Sequence, residues 1–212
     1  MRFRDRAEAG ERLALRLHEL TLDDPVVLGL PRGGMVVAAP VARALGTWPD
    51  AFVARKIGAP GNPELAIGAV AEGGTAVFDD ESVAAFGLDD GRLAVMAREA
   101  EVEMARRVAR YRGGRSIPPL RGRDVLVVDD GLATGLTARA ALSALRRAEP
   151  RRLVFAVPVG AADSIRSIGE LAEVICLEVP PRFGAVGSFY EDFAQVTDGE
   201  VIELLEATGP TT

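Results

Sequence analysis

The chain is poor in the residues that most often do chemistry. It has one cysteine, Cys176, and one histidine, His18. A lone cysteine excludes an intramolecular disulfide, and the setting AEVICLEV reads as a strand in which the thiol acts as a small buried hydrophobe. A lone histidine excludes multi-histidine metal sites and H-E-x-x-H chemistry. A serine triad would have to recruit His18 from the N-terminal segment, far from any nucleophile elbow, so His18 is read as structural. No apolar run is long enough to span a bilayer. The opening residues, MRFRDRAEAGERLALRLHEL, lack the apolar core and cleavage pattern of a secretory signal. They read as an amphipathic helix with Leu13, Leu17 and Leu20 on one face. Cytoplasmic residence without a membrane partner is the expectation. A net charge of −6 speaks against a dedicated nucleic-acid surface. The pairs Arg106-Arg107 and Arg146-Arg147 read as solvated helix faces or interface pairs.

Lysine is nearly absent. Twenty-four arginines accompany a single lysine, Lys56, and there is one asparagine, Asn62, and one glutamine, Gln195. A bias in coding composition explains the trend. A lysine that persists against it points to a task for its compact ammonium, which a guanidinium does not reproduce. Lys56 and Asn62 fall in one loop.

What is present is an alternation of strands and helices over 212 residues, with 48% hydrophobic content. Short buried strands are expected at 26–30, 51–55, 125–128, 153–157 and 174–179, with paired strands at 65–70 and 75–78. Helices are expected at 35–45, 91–112, 137–148, 161–171 and 199–207. Such order predicts βαβ units and an α/β fold: three layers around a central, mainly parallel sheet. One domain is expected over 1–212, with a helical insertion at about 80–115 and a hood at about 180–197.

The most specific stretch is 125–137, VLVVDDGLATGLT. Four apolar residues form a strand buried on both faces, and Asp129 and Asp130 follow where its side chains emerge. Gly131, Ala133, Thr134 and Gly135 allow a tight turn whose N–H groups share one concavity. The helix after it aims its N-terminus at the same spot. An ordinary turn with a solvated Asp pair would need none of the rest.

This pattern resembles the signature of the type I phosphoribosyltransferases, which use phosphoribosyl pyrophosphate (PRPP) as donor. The resemblance implies that Asp129 and Asp130 hydrogen-bond the ribose hydroxyls, and that Ala133, Thr134, Gly135, Leu136 and Thr137 cradle the 5-phosphate. Residues 31–34, P-R-G-G, match neither G-x-G-x-x-G nor a Walker A loop. They resemble the family's pyrophosphate loop, implying contacts from Arg32, Gly33 and Gly34 and a cis Pro31–Arg32 peptide. Arg55 and Lys56 would meet the leaving pyrophosphate. The residues behind them leave a mobile lid and a surface hairpin both open, and the resemblance favours the lid. Four aromatics crowd into 11 residues of the tail, and in the family such a hood selects the base, which makes Phe189 and Tyr190 candidates for stacking. Phe183 and Phe193 read equally well as core, and Glu191, Asp192 and Gln195 as polar contacts.

The resemblance further implies displacement of pyrophosphate by a base nitrogen, through an oxocarbenium-like transition state served by positioning and electrostatics. Mg²⁺ would be shared between PRPP and Asp129 and Asp130. Lys56, Asp129 and Asp130 are thus the catalytic candidates. Hypoxanthine-guanine enzymes carry an aspartate where this chain has Ala133, so a 6-oxopurine acceptor is disfavoured, and Glu64 and Asp192 are the remaining proton acceptors. The loop R-K-x-G-A-P-G-N-P-E and the tail F-Y-x-D-F are similar to a bacterial group of predicted phosphoribosyltransferases. A homodimer is expected. The rival is a regulatory protein of the same fold that senses PRPP or nucleotides without turnover.

Overall fold

The computed structural model describes residues 2–208, apart from the side chains of Glu64 and Thr208. Five parallel strands form the main sheet, in the order β2-β1-β6-β7-β8. They are β1 (Val26–Gly29), β2 (Pro49–Ala51), β6 (Asp124–Val128), β7 (Arg152–Val159) and β8 (Glu173–Glu178). Strands β1 and β6 are fully buried, as their unbroken apolar runs require.

Alternate residues feed two cores. On one face Val27, Leu126, Val128 and Val154 pack against Leu13 and Leu17 of α1 (Arg6–Leu17) and Val37 and Val41 of α2 (Gly33–Ala44). On the other, Val26, Leu28, Val125, Val127 and Phe155 pack against Ala138, Ala141, Leu142 and Leu145 of α5 (Leu136–Arg146). Ile168 of α6 (Ala162–Gly169) joins the same core. These are the three expected layers.

A second sheet holds β3 (Ala54–Ala59), β4 (Asn62–Ala71) and β5 (Thr75–Phe78), all antiparallel. It corrects one expectation. The segment 56–64 is not an open loop but the tip of the β3–β4 hairpin, with Lys56 opposite Ala69 and register shifts around Gly58. The second strand expected at 51–55 is likewise split between β2 and β3.

Helices α3 (Asp80–Ala85) and α4 (Asp90–Arg112) follow. Asp89 caps α4 by accepting from the N–H of Arg92, and Gly113 ends it in the left-handed conformation. Met104 and Tyr111 of α4 share a core with Ile57, Ile67 and Val70 of the hairpin and with Val201 and Leu205 of α7 (Asp198–Thr208). The long helix therefore buttresses the hairpin. At its end Arg112, only 4% exposed at its side chain, pairs with Asp50 and Glu72.

Among the described residues no helix is long and apolar enough to cross a membrane. His18 is exposed at the C-cap of α1. Cys176 is half-buried in β8, where burial pushes its thiol up to about 11.

Candidate active site

The sheet order reverses between β1 and β6, and open α/β sheets hold ligands at such a switch point, beyond the strand C-termini. Both sequence-predicted loops emerge there. After β1 the chain continues through a cis Pro31–Arg32 peptide, as expected, into the N-terminus of α2. After β6 it continues through Asp129 and Asp130 to Gly135, which has φ +79° and leads into α5. Glycine meets that left-handed value without strain. Neither α2 nor α5 has a side-chain N-cap bond or an acid in its first turn. Two helix N-termini, neither with an acid in its own first turn, therefore meet at one place, and the Asp130 carboxylate lies against that of α2.

A cleft of about 440 Å³ opens between them, lined among others by Arg32, Gly33, Asp129, Asp130 and Thr137. The two loops touch. Leu30 N donates to Val128 O at 2.8 Å, and a Cβ on Gly34 would lie 2.7 Å from the same oxygen. Only glycine allows α2 to start so near β6.

The acidic pair is tightly held. Asp129 accepts the N–H of Asp130 on Oδ1 at 2.8 Å. Asp130 accepts from Arg6 Nε on Oδ2 at 2.7 Å. Tyr190 Oη donates to the main-chain oxygen of Asp130 at 2.6 Å. Burial, and then the neighbouring Asp130 charge, push the Asp129 carboxyl well above the usual range. Burial raises Asp130 too, opposed by its hydrogen bond from Arg6.

The folded protein keeps the Asp129 proton to higher pH than the unfolded chain does. Its stabilising contribution is complete below the unfolded value of about 3.9 and is lost as pH rises through the folded value. Asp129→Asn cannot ionise, and its amide oxygen can still accept the Asp130 N–H. It should melt at a higher temperature than the wild type at neutral pH. The gap should close toward pH 4, about the unfolded value. Thermal melts across that range check it, and a gap that widens on acidification would refute the account.

Other predicted residues lie apart. Ala133 and Thr134 are exposed, Gly135 and Leu136 are half-buried, and of this turn only Thr137 lines the cleft. Arg55 and Lys56 stand on β3, outside the lining residues. Phe189 is half-buried and stacks on Phe183, with ring centroids 5.6 Å apart. Tyr190 needs correction. It is 1% exposed and wedged between Phe3 and Phe193, with its hydroxyl spent on Asp130, so it has no free face for a base. The phenol proton is held firmly by that burial. Asp192 is exposed, and its N–H is tied to Arg4 O; the side chain of Glu64 lies outside the described residues.

Sequence reasoning missed Arg6 entirely and left Phe193 between core and site. Both line the cleft, as does Gln195. The arginine had no local signal, because its partner Asp130 lies 124 positions away.

Residues 4–178 match the family model described as the phosphoribosyl transferase domain. Two Mycobacterium tuberculosis proteins, from strains CDC 1551 and H37Rv and each provisionally named a phosphoribosyl transferase, are 44% identical over 205 residues. The matches cover 96% of this chain and 46% of each relative, so the chain spans about half the length of these curated relatives. The crystal structure of TT1426 from Thermus thermophilus is 47% identical with a TM-score of 0.84, covering 98% of this chain and 99% of that one. A Neisseria gonorrhoeae protein with bound ppGpp shares the fold, at 14% identity and a TM-score of 0.50 over 98% of both chains.

Proposed function

Because the chain belongs to the phosphoribosyl transferase domain family, we propose that it transfers the ribose 5-phosphate group of PRPP to a nitrogenous base and releases pyrophosphate, in nucleotide salvage. The observation that carries this reading is the meeting of Arg32, Gly33, Asp129, Asp130 and Thr137 in one cleft at the switch point. In the reaction the C1–O bond to pyrophosphate breaks with its electron pair leaving on oxygen. The base nitrogen forms the new C1–N bond and gives up its proton to water or to the released pyrophosphate.

The residues divide the work by position. Backbone N–H groups at the start of α5, with the hydroxyls of Thr134 and Thr137, suit the 5-phosphate. Asp129 and Asp130 accept the sugar hydroxyls and place negative charge near the cationic carbon. Arg32, Gly33 and Gly34 receive the pyrophosphate at the start of α2. Arg55 and Lys56, carried on the β3–β4 hairpin, add cationic charge if the hairpin folds down as a lid.

Among the described residues no cluster of three or more His, Cys, Asp or Glu could hold a metal ion. Two carboxylates at the cleft instead fit a Mg²⁺ that arrives on the diphosphate, held directly or through water by Asp129 and Asp130. When bound, such an ion would offset charge on the leaving group. Ala133 supplies no acid toward a base. That directs the acceptor away from 6-oxopurines and leaves Phe189 and Asp192 as hood contacts. A cytoplasmic homodimer belongs to the same reading.

Pyrophosphate release from Mg·PRPP across a panel of bases tests it. Turnover on one base class is expected, with Asp130→Asn about a hundredfold slower, as for loss of one preorganised electrostatic contact, and Lys56→Ala also impaired. Undiminished turnover in Asp130→Asn would remove the acidic pair from the mechanism. Tight Mg·PRPP binding with no turnover on any base would make the protein a sensor of the same fold.

A further inference from the structure

Three segments distant in sequence converge on one carboxylate. Arg6 stands at the first position of α1, and its Nε donates to Asp130 Oδ2 at 2.7 Å, with side chains 11% and 18% exposed. Its Nη1 donates to Ala194 O at 2.8 Å. Its guanidinium carbon lies 3.7 Å from the centroid of the Phe193 ring, a cation–π contact. The pair is pressed against the pyrophosphate loop: a Cβ on Gly33 would fall 1.9 Å from Asp130 Oδ2 and 2.8 Å from Arg6 Nε. No side chain among the described residues donates to the second oxygen of Asp130, and Asp130 and Arg6 both line the cleft.

We propose that Arg6 is a positioning residue: it locks the Asp130 carboxylate in the rotamer that offers its second oxygen to the donor sugar, and it ties the aromatic tail to that site. The inference rests on the donor reading above and extends it to a helix that reading did not use. The geometry favours a positioning role over a general strut. The guanidinium fork is divided between the carboxylate and the main chain of the tail, and Tyr190 holds the same residue from its backbone side. Asp130 is thereby fixed at both ends by hydrogen bonds that involve neither Arg32 nor the α2 backbone, although the pair packs against Gly33 at the start of α2.

The two ends of the donor can be probed separately. Mg·PRPP and Mg·pyrophosphate are titrated calorimetrically into the wild type, Arg6→Met and Arg6→Lys. Methionine keeps an apolar stem against Phe193 but has no charge and no donor. In Arg6→Met the dissociation constant for Mg·PRPP should rise about tenfold or more, the scale of one lost charged hydrogen bond, with that for Mg·pyrophosphate within about twofold. Arg6→Lys keeps one charged donor and should fall between. If Arg6→Met does not fold, an intermediate Mg·PRPP loss in Arg6→Lys with pyrophosphate binding intact supports the role alone. Unchanged Mg·PRPP binding in either variant overturns it, and so does an equal loss of both ligands. A wild type that binds neither ligand removes the donor reading and this inference together. A wild type that binds Mg·PRPP, beside an Arg6→Met that binds it equally, removes only the inference.

Discussion

Arg112→Ala should destabilise the protein by about 3–5 kcal/mol, the cost of removing one partner from a buried ion pair. The guanidinium donates to Glu72 from Nη1 at 2.6 Å and from Nη2 at 2.9 Å, to Asp50 from Nε at 3.3 Å, and to Ala51 O. Its side chain is 4% exposed, and those of Asp50 and Glu72 are 15% and 14% exposed. Without it two mostly buried carboxylates lose their shared cation. Both also support the backbone: Asp50 Oδ1 accepts Ala51 N and Glu72 Oε1 accepts Val53 N. The join between β2 and the β3–β4 hairpin would therefore loosen with the helix end. For a chain of this length the loss corresponds to a melting temperature lower by roughly 10 °C. Arg112→Lys should recover only part, since an ammonium cannot serve three acceptors in a fixed fork. Thermal unfolding measures this, and an Arg112→Ala melt within about 2 °C of the wild type would sink it.

The second large effect has a sign that helix propensity alone gets wrong. Gly34 lies in the first turn of α2, where alanine is ordinarily better than glycine by about 1 kcal/mol. Here a Cβ would meet Val128 O at 2.7 Å and Asp129 Cα at 3.0 Å. Both obstacles are backbone of β6 and the residue after it, so neither can rotate away. Gly34→Ala should cost about 3 kcal/mol through overpacking and should weaken Mg·PRPP binding by moving the two loops apart. Gly91→Ala is the control. It sits in the first turn of α4, where a Cβ meets only Asp89 Oδ1 at 3.4 Å, so alanine should stabilise by up to about 1 kcal/mol. Equal behaviour of the two variants in chemical denaturation would show that the close approach does not matter.

The sheet and its loops were legible because their signals are local. Strands buried on both faces are unbroken apolar runs, and residues 31–34 and 129–137 lie next to the strands that present them. The hairpin was misread because Gly58, Gly61 and Pro63 look like loop punctuation. Gly61 does lie in the turn, at φ +76°, but the strand conformation of Gly58 and Pro63 depends on the β3–β4 pairing and on the support of α4. The tail was partly misread for a related reason. An aromatic cluster in sequence does not say which ring faces the cleft, and burial took Tyr190 inward while leaving Phe193 at the lining. Arg6 was out of reach, because a charged residue on an amphipathic helix looks solvated until the fold brings its partner.

Phe3 pairs with Tyr190 across a parallel bridge, and Arg6 reaches Ala194 over 188 positions of sequence. Closing so long a loop is entropically costly and slow compared with forming the local βαβ units. A ribosome would have produced α1 long before the tail that it clasps exists. The sheet and the loops at 31–34 and 129–137 can form in that interval, but the Arg6–Asp130 pair lacks its support from Tyr190, Phe193 and Ala194 until the tail arrives. The fully supported arrangement of this pair is therefore gained last in folding. In partial unfolding it should be first to go, ahead of any loss of helix or sheet.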